Sequence, residues 1–208
     1  MTPPLSRRAF ALAAPAALLT ACAGGRTPSP GATAPARADG GTAPPSPASA
    51  KAPHALARSA PVRLRIPAIG VDTPLIRLGL EADGTVQVPP ITAHDRAGWY
   101  EHSPTPGQTG PSVVLGHVTV GEYGDGVFRR LSTLRRGDRI EARLENGTTP
   151  VFTVTSLRTV AKAAFPSDDV YGDVDRPELR VITCGGPRDG EGYQDNVIVF
   201  AALSGTAG

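Results

Sequence analysis

From Pro61 to the C-terminus, apolar residues fall in short runs rich in Val, Ile and Leu, separated by small polar turn residues. Short runs punctuated in this way are the pattern of an all-β fold. The spacing predicts strands over Val62–Ile66, Leu75–Leu80, Ser112–Val118, Arg139–Leu144, Val151–Val160, Leu179–Thr183 and Asn196–Ala202. Asp83-Gly84, Pro106-Gly107, Asn146-Gly147 and Asp189-Gly190 supply turns, and Asn146-Gly147 is the clearest hairpin signal. Two stretches, Val113-Val114-Leu115 and Val197–Ala202, lack the alternation of a half-exposed strand. Both of their faces are expected to be buried, as in a closed barrel. Helix is expected only as single turns near Phe128–Leu134 and Ser167–Val170.

The first 60 residues follow no such pattern. Residues 1–21 carry Ser6-Arg7-Arg8-Ala9-Phe10-Ala11-Leu12, an apolar run to Leu19, and then Ala21 before Cys22. A positive start, a short apolar stretch and small residues before a cut site describe an export signal. The run is about half the length a membrane-spanning helix needs. Arg7-Arg8 with Phe10 and Leu12 resembles a twin-arginine signal, and Leu19-Thr20-Ala21-Cys22 resembles a lipobox in which Cys22 takes lipid. Residues 22–60 are almost wholly Ala, Pro, Gly, Ser and Thr, too poor in apolar surface to order, and read as a tether. The expected location is therefore the outer face of the cell membrane, with a single domain over 61–208. Part of the chain's 24 Gly and 22 Pro belongs to this tether, and the rest punctuates the strands.

Charge narrows the partners. The whole chain carries 21 basic and 19 acidic residues, and with the signal and tether set aside the domain is mildly acidic. A nucleic-acid partner is excluded on that ground, and a monomer is expected. His94 and His102, with Asp95 and Glu101 beside them, form no metal motif, and Asp168, Asp169, Asp173 and Asp175 read as solvated loop charges. No metal or cofactor is expected.

Chemistry concentrates at two strand ends. Ser112–His117 delivers an imidazole, and Leu179–Gly186 delivers Cys184 followed by two glycines. With Cys22 lipidated, Cys184 is the one remaining thiol, and a disulfide within the chain is excluded. A thiol becomes a strong nucleophile on losing its proton, which an imidazole can take and return. Gly185-Gly186 would let backbone N–H groups approach a developing oxyanion.

These residues and their flanks resemble the sortases, most closely those of class F from actinobacteria. The resemblance runs from Ile66-Pro67-Ala68-Ile69-Gly70-Val71 through Asp83-Gly84-Thr85, Val88-Pro89 and Ala97-Gly98-Trp99-Tyr100. It continues through Pro106-Gly107, Gly110-Pro111, Leu115-Gly116-His117, Phe128, Leu131, Leu134, Gly137-Asp138, Ile182-Thr183-Cys184-Gly185-Gly186, Tyr193 and Asp195-Asn196. It implies a closed eight-stranded β-barrel and a cysteine transpeptidase. Cys184 would attack an LPXTG-like signal on an exported protein to give a thioester. A peptidoglycan or other amine would resolve it, with His117 as acid and base. It also implies an Arg on the strand beside the Cys strand, and here the chain departs: that register holds Asn196. Asn196, then Arg188, then Arg180 are the candidates for holding substrate and oxyanion, and Thr183 is a candidate substrate contact. The departure leaves two alternatives open, a non-catalytic binding lipoprotein on the same barrel and a thiol hydrolase releasing to water.

Overall fold

Strand β1 (Pro61–Ile66) ends in a 3₁₀ turn over Pro67–Ile69, where Gly70 takes φ +72° and the chain reverses into β2 (Val71–Leu78). A Cβ is disfavoured in that left-handed backbone state, which Gly reaches freely. The structure is a computed structural model describing residues 54–190 and 192–207. The export signal, Cys22 and most of the tether lie outside the described residues. The remaining elements are β3 (Ala97–Tyr100), β4 (Gly110–Leu115), β5 (Arg139–Leu144), β6 (Thr149–Ala161), α1 (Ser167–Tyr171), β7 (Pro177–Asp189) and β8 (Gly192–Ala207).

The eight strands close in the order β1-β2-β3-β4-β7-β8-β6-β5, with β5 pairing back onto β1. Neighbours are antiparallel except for β2–β3 and β4–β7. Besides the turn over Pro67–Ile69, single 3₁₀ turns occupy Ile91–Ala93, Gly121–Tyr123, Leu131–Thr133 and Lys162–Ala164. The barrel is all-β with very little helix, as the sequence predicts. Among the described residues no helix is long and apolar enough to cross a membrane.

Residues that alternate inward along the strands fill the barrel: Leu64, Ile66, Trp99, Val114, Ile140, Phe152, Val154, Val181 and Val199, joined by Phe128, Leu131 and Leu134. A second apolar cluster lies on the opposite face of three adjacent strands. It comprises Val113 of β4, Ile182 of β7, and Ile198 and Phe200 of β8, packed with Val170 of α1. The unbroken apolar runs of the sequence thus have a physical cause: one face fills the barrel and the other lies under the segment around α1.

A five-residue helix has too few hydrogen bonds to persist by itself. Burial of Val170 holds α1 down, worth about 1.5–3 kcal/mol. Two arginines hold it as well: Arg158 pairs with the Asp169 carboxylate at 2.6 Å, and Arg180 donates to the Asp169 carbonyl at 3.2 Å.

The expected Leu75–Leu80, Leu179–Thr183 and Asn196–Ala202 are found as Val71–Leu78, Pro177–Asp189 and Gly192–Ala207, and further differences separate the structure from the sequence reading. Strand β3 was absent from it, being four residues long and containing Ala and Gly, too short to display an alternation. Strand β4 stops at Leu115 rather than Val118, because the chain leaves the sheet after Gly116 N–H makes the last ladder bond. Residues 54–60, read as tether, lie against the barrel. Leu56 N–H donates to the Gly107 carbonyl at 2.8 Å, Ser59 N–H donates to Thr105 Oγ1 at 3.2 Å, and Arg58 lies 5.9 Å from the Trp99 ring.

Candidate active site

The parallel pair β4–β7 decides where the chemistry gathers. Its register runs from Gly110↔Pro177 to Leu115↔Ile182, and the ladder continues with Gly116 N–H donating to the Ile182 carbonyl at 3.1 Å. His117 lies two residues beyond Leu115 and Cys184 two beyond Ile182, so both emerge at one edge of the barrel. Thr183, between them and buried, donates through Oγ1 to the Gly116 carbonyl at 2.8 Å. That bond fastens the two strand ends together, which makes Thr183 a brace between them.

Alternation from Ile182 puts Cys184 on the outer face, half-buried and unbridged. Its antiparallel neighbour on β8 is Asn196. Such cross-strand partners have Cβ atoms about 4.5–5.5 Å apart, within reach of one another's side chains. The backbone around the thiol tolerates no larger residue. A Cβ on Gly185 would sit 2.6 Å from Val197 Cγ2, and one on Gly186, at φ +73°, would sit 2.0 Å from Asp195 Oδ2.

His117 is held from both sides. Its carbonyl accepts from Phe128 N–H at 2.9 Å, and a Cβ on Gly126 would lie 2.3 Å from that same carbonyl oxygen. Its ring Nε2 lies 2.6 Å from the Pro89 carbonyl oxygen. Sequence reasoning attached no role to Pro89, because a main-chain carbonyl leaves no signature in residue type.

The other candidates are spread along the strands. Arg180 lies four residues before Cys184, roughly 13 Å along an extended strand. It is 3% exposed. Its guanidinium pairs with Glu178 at 2.6 Å and lies 4.7 Å from the Phe200 ring. Arg188 lies beyond Cys184 in the β7–β8 hairpin, opposite Tyr193, with its guanidinium 5.6 Å from that ring. Neither is brought to the register of the thiol, and Asn196 is.

Along the outer face, back from His117 and Cys184, a pocket of about 410 Å³ opens beside Val113 and Tyr100, with Leu80, Val86, Pro111 and Tyr171 in its walls. Burial, reinforced by Tyr100 nearby, raises the Tyr171 phenol above its ordinary value of 10.0. Trp99 points the other way, into the barrel core, and its indole N–H donates to the Pro104 carbonyl at 3.2 Å. Among the described residues no group of three or more His, Cys, Asp or Glu is arranged to hold a metal ion.

A sortase-domain profile matches residues 64–204, from β1 through most of β8. The chain belongs to the sortase family. No curated protein matches it closely enough to count as a relative. Several solved sortases share the fold. The SrtA sortase from Actinomyces oris is 23% identical over 76% of this chain and 89% of its own, with a TM-score of 0.55. Sortase C-1 from Actinomyces oris is 21% identical over 69% of this chain and 73% of its own, at 0.54. The Clostridium perfringens sortase D5 transpeptidase is 22% identical over 70% and 79%, at 0.52. These three carry the class letters A, C and D, so the likeness in fold extends to sortases of more than one class.

Proposed function

We propose that this sortase is a class F-like cysteine transpeptidase, anchored through lipid on Cys22 at the outer face of the cell membrane. It cleaves an LPXTG-like signal on other exported proteins and transfers the acyl part to a peptidoglycan or similar amine. The observation that carries the reading is the shared edge of β4 and β7, at which the chain bearing His117 and the half-buried thiol of Cys184 both emerge.

In the reacting form Cys184 is a thiolate and His117 an imidazolium. The thiolate attacks the scissile carbonyl, the C–S bond forms, the C–N bond breaks, and the leaving amine takes a proton from His117. An incoming amine then attacks the thioester, the C–S bond breaks, and His117 takes a proton from that amine, restoring both groups. The oxyanion formed in each half-reaction needs donors. Asn196 offers a neutral side-chain N–H at the register of Cys184, with the N–H groups of Gly185 and Gly186 close by. Arg188 is the second candidate. Arg180 is assigned to holding α1, since its guanidinium is occupied by Glu178 and Asp169.

Asn196 rather than a cation opposite Cys184 favours two other readings, a thiol hydrolase and a non-catalytic binding protein on the same barrel. Incubation with an LPXTG-like peptide library, with and without an amine acceptor, separates these. A Cys184 adduct by mass spectrometry together with amine-linked product supports the transpeptidase. An adduct with only hydrolysed product supports the hydrolase, and no adduct with any peptide refutes an enzyme.

A further inference from the structure

The contact between His117 and Pro89 has a consequence for the direction of proton flow. A carbonyl oxygen only accepts, so the 2.6 Å contact requires a proton on Nε2. The two ring nitrogens of an imidazole point in divergent directions, and the bond made by one fixes the state of the other. With Nε2–H committed to Pro89, only Nδ1 is left to exchange protons with Cys184 or substrate. We propose that the Pro89 main-chain carbonyl is the positioning group of this site. It takes the part that a carboxylate plays elsewhere, locking His117 with Nε2 protonated and making Nδ1 the proton carrier.

The chain around Pro89 is built to hold that carbonyl still. Pro89 is buried and its ring fixes φ, while the following Pro90 confines its ψ to extended values. Two residues earlier, Gln87 is bonded to Gly79 twice: its N–H donates to the Gly79 carbonyl at 3.1 Å, and its Oε1 accepts from Gly79 N–H at 2.8 Å. After Pro90, Ala93 N–H closes onto the Pro90 carbonyl at 2.8 Å, and Thr73 Oγ1 donates to the Asp95 carbonyl at 2.7 Å. The loop that follows His117 then clasps the same segment. Tyr123, at 45% exposure, stacks on the His94 ring with centroids 4.7 Å apart and planes within 2°.

The proposal rests on His117 as the acid and base of the reaction, but its proton assignment is separable from activity. In the reaction, Nδ1–H of the imidazolium passes to the leaving amine, and Nδ1 later accepts a proton from the incoming one. Nε2–H stays on Pro89 throughout, so the proton count closes over the two halves.

Two measurements on the full-length chain test it. In ¹⁵N-histidine-labelled protein, with the signal assigned by its loss in His117→Gln, the neutral ring is expected as Nε2–H with a solvent-protected proton. A neutral His117 carrying its proton on Nδ1 overturns the proposal, whether or not any peptide reacts. The second measurement replaces Pro90 by lactic acid, turning the 89–90 amide into an ester, with Pro90→Ala as the reference that shares the loss of the ring. The ester carbonyl is a weaker acceptor, and Pro90 has no N–H to lose. Protection of Nε2–H is expected to fall, and kcat to drop about tenfold with KM within twofold, the scale of losing an orienting partner. Tyr123→Ala is expected to lower kcat severalfold without changing KM, and Tyr123→Phe to restore it. An ester variant with wild-type protection and kcat overturns the proposal.

Discussion

Replacing Arg180 by Met separates a structural arginine from a catalytic one, and the structure sets the expected size of the effect. The guanidinium is buried, pairs with Glu178 at 2.6 Å, donates to the Asp169 carbonyl at 3.2 Å and lies 4.7 Å from the Phe200 ring. Breaking a buried pair costs about 3–5 kcal/mol when the partner charge is left alone. Glu178 is not left alone here, because Arg176 remains on its other oxygen at 2.5 Å. A further gain offsets the loss. Arg180 Nη1 is buried without an acceptor, and such an orphan costs about 1–3 kcal/mol, which the thioether of Met does not incur. The net expectation is a loss of about 1–2 kcal/mol, or about 2–8 °C in Tm for a domain of this size.

Urea and thermal unfolding measure the stability change, and the rate of Cys184 adduct formation, corrected for folded fraction, measures the chemistry. The expected pair of results is a lowered Tm with acylation within about threefold of wild type. Removing an oxyanion donor instead costs about 10²–10³ in rate. A loss of that size with Tm unchanged would refute the assignment of Arg180 to holding α1.

Three further outcomes follow from the same geometry. Asn196→Ala is expected to slow acylation about a hundredfold and Asn196→Arg to retain it, by stopped-flow with a fluorogenic peptide; an unchanged Asn196→Ala removes Asn196 from the site. Gly186→Ala places a Cβ on left-handed backbone at φ +73°, 2.0 Å from Asp195 Oδ2, so a loss of about 1–2 kcal/mol is expected by urea unfolding, and it should persist in an Asp195→Gly background, where the contact is gone but the backbone strain remains. Because burial raises the Tyr171 phenol in the folded state, its contribution to stability is complete below pH 10 and is lost as pH rises through the higher folded value. Tm between pH 9 and 11 should therefore fall less in Tyr171→Phe than in wild type, and parallel curves would count against the burial.

Strands β5 and β6 were legible because Asn146-Gly147 marks a hairpin, and Gly147 does take φ +85° there. Strand β3 was not, since its place depends on parallel pairing with β2 rather than on any local run. The site divides along the same line. Cys184 and His117 stood out as reactive residues ending apolar runs, but nothing local said that the runs were parallel neighbours. Arg180 was read as a third candidate for substrate or oxyanion because one of its partners, the Asp169 carbonyl, is set by the packing of α1. Pro89 was invisible as chemistry, for its contribution is a carbonyl that every residue possesses. What sequence periodicity conveys is which face a residue takes; what it omits is which distant backbone lies opposite.

The parallel junction between β4 and β7 makes a site possible in a barrel whose other neighbours, except β2–β3, run antiparallel. Antiparallel pairing of the same two strands would have sent His117 and Cys184 to opposite edges. Parallel pairing brings both to one edge, and burial on two faces makes that edge stiff, with Val114 and Val181 inside and Val113 and Ile182 outside. Stiffness matters more here than where an arginine faces the thiol. A neutral donor such as Asn196 has no long-range field, so its value in the proposed reaction depends on holding its N–H at the right point before charge develops. The same demand falls on His117, whose ring is held by a carbonyl between two prolines. A site with this little charge must obtain its stabilisation from preorganisation, and loosening either support should cost rate well before it costs stability.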